Sequence, residues 1–221
     1  EDLEEEEQKL TESYFSKTIF PMLTPMMTDA YRTFPVLMNQ VLIFGVVTRE
    51  KTDEKIQNRL SFLQIPQNLP RFFEIYREDL LLFVPIESII RKNLQRLYRN
   101  VEISSANLMR ISRNGDFTLE ESEDLETDFI EEIKQKLQSR KTGRVVRIEI
   151  EPGLSKWMMR QLVNRWDTDQ YNIFEQESML DLTGLWQIIK HQSFQHKSPS
   201  ARKTVRPLTM RNNNTDDIFQ R

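Results

Sequence analysis

Three arginines on two predicted strands are the side chains of this sequence best suited to bind a ligand. Arg110 and Arg113 lie on a strand that ends at Arg113, and Arg147 lies on a strand from Arg144 to Ile150. Guanidinium groups present rigid forks of N–H donors that match phosphate oxygens. If the two strands are neighbours, the three arginines form a contact for a polyanion. Pairing with Glu149 across the strands explains the same residues as easily.

The two histidines, His191 and His196, are weaker candidates for chemistry. A spacing of five places them on different faces of a helix, and no acid lies between them, so a metal pair is disfavoured. A histidine base or nucleophile needs an orienting carboxylate, and the nearest in sequence is Asp181. A phosphatase of the phosphohistidine type, using either histidine, is therefore the weakest functional hypothesis.

Composition excludes several classes of protein. The chain has 221 residues, a net charge of -3, five glycines and no cysteine. Without cysteine, disulfides and thiolate sites are impossible, and the glycine-rich loops that hold nucleotide phosphates are absent. No apolar run approaches the roughly 20 residues that span a bilayer, so we expect a cytoplasmic protein with no integral membrane segment. The first residue is not Met, which suggests a piece of a longer chain.

The arginine strands belong to a predicted strand, turn, helix and strand over residues 107–150. Asn114 and Gly115 favour a tight turn, and a helix from Thr118 to Gly143 carries an apolar stripe every fourth residue. The first half of this helix is acidic and its end is basic, which matches the helix dipole and needs no metal site. Val146, Ile148 and Ile150 are predicted to face inward on the returning strand.

Further strands and helices extend this unit into one fold. A buried central strand over residues 36–47 and strands over residues 56–65, 71–77 and 80–84 are predicted to form a meander. Helices are predicted from Pro85 to Tyr98, over residues 154–166 and over residues 181–189, with residues 170–174 free to pair with the sheet. The predicted class is α+β, with a mixed, mostly antiparallel sheet and helices packed mainly on one face.

The order of short motifs resembles the bacterial polyphosphate kinase family. The motifs are Tyr14-Phe15 with Pro21-Met-Leu-Thr-Pro25, Asp29 and Phe34-Pro35; Ile65-Pro-Gln-Asn-Leu-Pro-Arg-Phe72; Pro85-Ile-Glu-Ser-Ile-Ile90; Met109-Arg-Ile-Ser-Arg-Asn-Gly-Asp116 with Val146-Arg-Ile-Glu-Ile150; Leu180-Asp-Leu-Thr-Gly-Leu185; and Asp217-Ile-Phe219. Each motif is short, but their shared order covers nearly the whole chain.

This resemblance implies a role inside a larger enzyme. Such kinases reversibly move the terminal phosphate of ATP onto polyphosphate through a phosphohistidine, using Mg²⁺. The phosphorylated histidine and the metal- and phosphate-holding arginines lie in later domains, so the resemblance assigns no catalytic, cofactor or metal residue here and implies that this part alone is inactive. It further implies a homo-oligomer built from dimers, a share in walling the active-site tunnel, and a cytoplasmic enzyme with membrane association left open.

The resemblance also divides the chain into three parts. Residues 1–20 are the expected end of an N-terminal helical domain, residues 21–190 a middle or head domain, and residues 191–221 an arm leading to the first catalytic domain.

Residues 182–215 contain no acid and several lysines and arginines. The alternative function is therefore a stand-alone module that binds polyanions or nucleic acid through this basic segment. The leading hypothesis involves no nucleic acid.

Overall fold

The chain forms eight strands in two sheets within the part that the structure describes. This computed structural model describes residues 3–28, 35–52, 55–114, 143–197, 200 and 202–203, so the acidic helix predicted after Thr118 lies outside the described residues. In chain order, the strands are β1 (Met26–Met27), β2 (Leu42–Thr52), β3 (Lys55–Gln64), β4 (Phe72–Arg77), β5 (Leu80–Pro85), β6 (Glu102–Arg113), β7 (Val145–Ile150) and β8 (Ile173–Glu175).

Six of these strands form the main sheet, in the order β1-β3-β2-β6-β7-β8. All neighbours are antiparallel except β7 and β8, which run parallel. The predicted α+β class and the mostly antiparallel sheet are therefore confirmed. The predicted pairing of residues 170–174 with the sheet is also confirmed, because β8 joins β7 at the edge.

The described residues also form five short helices. They are α1 (Glu5–Tyr14), α2 (Ile86–Lys92), α3 (Leu94–Leu97), α4 (Lys156–Trp166) and α5 (Leu185–Ile189). A π-helical turn and a 3-10 turn extend α1 to Met22. The helix predicted from Pro85 to Tyr98 begins as predicted but is interrupted at Asn93, whose ψ of 7° departs from helical geometry.

An apolar core lies on each face of the main sheet, and successive side chains of a strand enter the two cores alternately. On β2, Phe44 and Val46 face a first core, whereas Ile43 and Val47 face a second core. The first core also contains buried residues from the α1 extension, α2, α3 and the segment before α5, namely Phe15, Ile19, Ile86, Ile90, Leu94 and Leu180. The second core is closed by α4 through Met158, Leu162 and Trp166.

The apolar run at residues 36–47 yields the central strand, but the strand starts later than predicted. Among the described strands, β2 pairs with β3 on one side and β6 on the other, which confirms its central position. It begins at Leu42 because Gln40 has a φ of 58°, which interrupts the extended backbone. Leu37 is nevertheless fully buried before this turn.

The predicted meander is wrong. Strands β2 and β3 lie in the main sheet, whereas β4 and β5 form a separate two-stranded sheet. The loop between β3 and β4 contains Pro66 and Pro70, which have no N–H to continue a ladder. The second hairpin therefore leaves the main sheet, and it runs directly into α2, whose Ile86 N–H donates to the Arg71 carbonyl at 3.0 Å.

The predicted inward position of Val146 is also wrong. A register shift between Ser112 and Arg113 pairs Arg113 with Val145. Val145 is therefore buried at 2% exposure, whereas Val146 is 41% exposed. Such a bulge inserts one extra residue and reverses the facing of the side chains beyond it. Ile148 and Ile150 are buried as predicted.

Residues 1–187 form one compact unit and residues 188–221 form another. The divisions predicted at residues 20 and 190 stay predictions. Among the described residues, no helix has the length and apolar character needed to cross a membrane.

Candidate functional site

Two of the three candidate arginines meet on one carboxylate. Arg110 on β6 lies opposite Glu149 on β7 and donates to its Oε2 from Nε at 2.7 Å and from Nη2 at 2.6 Å. Arg147 donates to Oε1 of the same carboxylate at 3.3 Å. Arg110 is therefore paired with this acid across the strands, and Arg147 is paired with it along the same strand.

Arg113 lies apart from the other two arginines. Its Nε and Nη2 donate to the Leu37 carbonyl at 3.2 and 3.1 Å, and its Nη1 donates to the Gly143 carbonyl at 2.6 Å. Burial lowers the pKa of this guanidinium. The structure thus gives Arg113 the role of joining two loops through their backbone, and it does not bring Arg113 to the Arg110 and Arg147 pair.

Arg147 is more exposed than Arg110, whose side chain is 22% exposed. Its guanidinium lies over the Phe174 ring at 4.1 Å from the centroid, and its side chain is 41% exposed. A cation stacked on an aromatic face at an exposed site gains roughly 0.5–1 kcal/mol. Because Glu149 occupies one edge of this guanidinium, only part of its donor set faces solvent.

The charged residues continue from Glu149 toward α2. Arg110 Nη1 also pairs with Asp181 Oδ1 at 3.3 Å, and the Thr183 hydroxyl donates to the same oxygen at 2.5 Å. Asp181 has a φ of 58°, a left-handed conformation that acidic side chains tolerate better than most. We refer to Arg110, Arg147, Glu149 and Asp181, together with the separate ion pair of Arg71 and Glu87, as the charge cluster.

Arg71 and Glu87 are the most deeply buried pair in the charge cluster. Arg71 Nη2 donates to Glu87 Oε1 at 2.6 Å, and each side chain is 10% exposed. Desolvation lowers the pKa of Arg71, and the nearby acids Glu87 and Asp181 only partly oppose this. Desolvation likewise raises the pKa of Glu87 against the opposing effect of Arg71. Both groups thus shift toward their neutral forms, so burial outweighs the mutual attraction of the pair.

The pair is also incompletely hydrogen-bonded. Within the described residues, Arg71 Nε and Nη1 and Glu87 Oε2 are buried without a hydrogen-bond partner. A buried polar group in this condition costs about 1–3 kcal/mol. The folded state is therefore less stable than it would be if every polar atom of this buried pair were hydrogen-bonded.

A cavity of about 220 Å³ lies beside Arg71. It is lined by the loop after β3 and the segment before α5, together with the start of β2 and of α2: Gln40, Val41, Leu42, Ile65, Pro66, Gln67, Leu69, Arg71, Ile86, Asp181, Thr183 and Gly184. Pockets for nucleotide-sized ligands are usually larger, from about 300 Å³ upward. Two of the motifs that carry the family resemblance, residues 65–72 and 180–185, thus meet at one cavity.

Sequence reasoning missed the residues that join these motifs. Arg71, Glu87, Asp181 and Gln187 come from separate elements, and no local spacing links them. The only signal was that Arg71 and Asp181 lie inside two of the quoted motifs, residues 65–72 and 180–185. These motifs indicated the segments but not the contact between them.

The histidines and the metal hypothesis add no site here. His191 lies in the second compact unit, with its ring centroid 6.0 Å from that of Phe194. In the described part of the chain, no group of three or more His, Cys, Asp or Glu side chains could hold a metal ion.

The described residues form an α+β module in which arginines of the charge cluster pair with acids of the same chain. Residues 6–188 match the family model described as the polyphosphate kinase middle domain. The chain therefore belongs to the polyphosphate kinase family, a family of phosphate-transferring kinases, and contains its middle domain.

Individual relatives agree with this assignment. The chain is 31% identical over 189 residues to a polyphosphate kinase of Campylobacter coli, which covers 86% of this chain and 26% of the relative. It is 30% identical over 224 residues to a polyphosphate kinase of Thermosynechococcus vestitus, which covers 99% of this chain and 30% of the relative. The chain thus spans less than a third of the length of these relatives.

A solved structure shows the same fold. The crystal structure of polyphosphate kinase from Porphyromonas gingivalis matches with a TM-score of 0.69 at 16% identity. The match covers 93% of this chain and 28% of that chain. At this identity the likeness shows the fold alone.

Proposed function

We propose that this chain is the middle domain of an ATP:polyphosphate phosphotransferase and that the groups which react lie outside it. In this proposal a phosphohistidine elsewhere in the enzyme accepts the terminal phosphate of ATP and passes it reversibly to polyphosphate. The observation that carries the proposal is the match of residues 6–188 to one domain of a much longer kinase.

The charge cluster supports a structural role for this domain. Arg110 and Arg147 share Glu149, and Arg71 is held by Glu87. An arginine that stabilises a transferring phosphate must direct its donors at the phosphate. These guanidinium groups instead direct donors at the chain's own acids, which suits them to holding strands and loops together.

ATP, Mg²⁺ and polyphosphate enter the proposal as substrates and cofactor of the whole enzyme. The described residues offer no set of metal ligands, so we derive no metal-dependent step from this chain. Dimer formation, a share in walling the active-site tunnel and a cytoplasmic location are further parts of the proposal, and they rest on family membership.

The direct test compares the isolated chain with an enzyme that contains it. We expect the purified 221-residue chain to take up no label from γ-labelled ATP with Mg²⁺ and to make no polymer. In a chimera, residues 6–188 replace the corresponding domain of the Campylobacter coli kinase. This chimera should make polyphosphate above the level of the same kinase with that domain deleted.

Two results would contradict the proposal. Labelling of the isolated chain by ATP would place a reacting group inside it. A well-folded chimera with no more activity than the deletion would show that this domain does not serve that reaction.

A further inference from the structure

The side chain of Gln187 occupies the free edge of strand β4. Its Oε1 accepts from the Phe72 N–H at 2.9 Å, and its Nε2 donates to the Phe72 carbonyl at 2.8 Å. The same Nε2 lies 3.1 Å from Glu74 Oε1. One glutamine thus satisfies both backbone groups of Phe72, as a neighbouring strand would.

The position of Phe72 in its hairpin explains why these groups are available. The Ile86 N–H donates to the carbonyl of Arg71, the residue before Phe72, so the Arg71 carbonyl points toward the β5 side of the hairpin. Peptide groups in an antiparallel pair alternate between the two sides of a strand. The N–H and C=O of Phe72 therefore point away from β5, toward Gln187.

Arg71 holds the same segment at its other end. Its Nη2 donates to the Leu180 carbonyl at 3.1 Å as well as to Glu87. Gly184 packs on the aliphatic stem of Arg71, where a Cβ would lie 2.5 Å from Cγ. Residues 180–187 are therefore fixed to the start of β4 by two side chains, Arg71 and Gln187, and we call this arrangement the clamp.

Polar contacts are important to this segment because most of its large apolar side chains are not buried. Leu180 is 2% exposed, but Leu182 is 62% exposed and Trp186 is 57% exposed. Segments with little buried apolar area open at low free-energy cost. Without the clamp, we expect residues 181–187 to separate from the hairpin while the rest of the fold persists.

The clamp ends where the first compact unit ends. Gln187 is the last residue of that unit, and Ile188 begins the next. The clamp therefore fixes the placement of the last residues of this unit, from which the chain continues. Catalysis is sensitive to such placement, since an error of about 1 Å in the position of reacting groups can cost on the order of 10²-fold in rate.

We propose that Gln187 and Arg71 are positioning residues of the enzyme: they fix the path of the chain out of the middle domain and thereby align later domains for phosphate transfer. This inference rests on the proposed function. It assigns no contact with ATP or polyphosphate to either residue.

The test uses the full-length enzyme that contains this chain, with Gln187→Ala as the variant and Gln170→Ala, at an exposed glutamine, as the matched control. Hydrogen exchange should rise at residues 181–187 and at Phe72 in Gln187→Ala only. The kcat for polyphosphate synthesis should fall about tenfold while KM for ATP changes less than about twofold, because alignment rather than ATP binding is lost. Arg71→Lys keeps the positive charge but lacks the planar guanidinium with its several N–H donors. It should therefore also raise hydrogen exchange at residues 181–187 and lower kcat.

Each other result overturns the inference. Unchanged exchange at residues 181–187 would show that the clamp does not hold the segment. Raised exchange with unchanged kcat would show that the path of the chain does not affect the reaction. If Gln187→Ala unfolds the whole protein, the same two criteria apply to Arg71→Lys. A wild-type enzyme that makes no polyphosphate would instead refute the proposed function, while the exchange comparison would still test the clamp.

Discussion

Gly184 lies against Arg71 so closely that no other residue fits at position 184 without displacing the arginine. A Cβ there would lie 2.5 Å from Arg71 Cγ and 3.3 Å from Arg71 Cβ. These atoms belong to the inner part of a buried side chain, which has little freedom to move. Glycine is thus required at position 184 because the segment that contains it packs directly on Arg71, which is far away in the sequence.

Gly184→Ala should therefore destabilise the chain by about 1–3 kcal/mol, the usual cost of overpacking a filled site. Urea unfolding of the 221-residue chain measures this. Gly45→Ala is the matched comparison, since its Cβ would meet the terminal methyl of Met158, the flexible end of a side chain. We expect the smaller loss at Gly45, and equal or reversed losses would show that Arg71 yields easily.

Removal of one charge from the buried pair should be strongly destabilising. Glu87→Gln leaves the Arg71 guanidinium buried without its acid, and breaking such pairs costs about 3–5 kcal/mol. The control is Glu50→Gln in the exposed Arg59 pair, whose side chains are each 47% exposed, where we expect less than about 1 kcal/mol. Unfolding free energies of the two variants, measured side by side, check this prediction, and similar losses would contradict it.

The Glu7 and Arg77 pair should make stability depend on pH. Hydrogen bonds from Arg77, first among the causes, lower the pKa of Glu7 below its ordinary 4.5. A carboxylate with a lowered pKa in the folded state contributes stability above its unfolded pKa and loses it as the pH falls through the folded pKa. Wild type should therefore exceed Glu7→Gln in stability at neutral pH, and the difference should shrink below pH 4.5.

Thermal unfolding measured between about pH 3 and pH 7 tests this prediction. These pH values lie on both sides of the ordinary carboxyl pKa of roughly 4 to 4.5. Glu6→Gln is the control, because Glu6 is exposed and shares the first turn of α1 with Glu7. Both substitutions remove the same charge from the helix dipole, so the comparison isolates the contacts of the Glu7 carboxylate with Arg77 and with the Glu4 N–H. A pH-independent difference between Glu7→Gln and wild type would contradict the prediction.

The polyanion hypothesis for Arg110 and Arg147 predicts the effect of releasing them from their acid. Glu149→Gln removes the carboxylate that both guanidinium groups share, so retention on immobilised polyphosphate should increase and should weaken more steeply with NaCl. Glu175→Gln, on the exposed edge strand β8, controls for the change in net charge. Equal retention of the two variants would show that these arginines do not reach a polyanion even when released.

Local sequence patterns were sufficient for much of the fold. The period-two pattern of Met109 and Ile111 predicted a strand of the main sheet, and the apolar stripe after Pro85 predicted the inner face of α2. These patterns work because alternation and helical spacing are properties of neighbouring residues, and burial acts on them directly. The motifs at residues 65–72 and 180–185 likewise indicated the family that the comparisons confirm.

Tertiary structure decided the rest. The register shift after Ser112 exchanged Val145 for Val146 in the core, and the departure of β4 and β5 from the main sheet replaced the predicted meander. The backbone ladder also placed Glu149 opposite Arg110, a pairing that the sequence offered only as a possibility. Arg71 meets Gly184, and Phe72 meets Gln187, across more than a hundred residues of chain. Such contacts depend on the packing of whole elements, which no spacing of residue types along the sequence encodes.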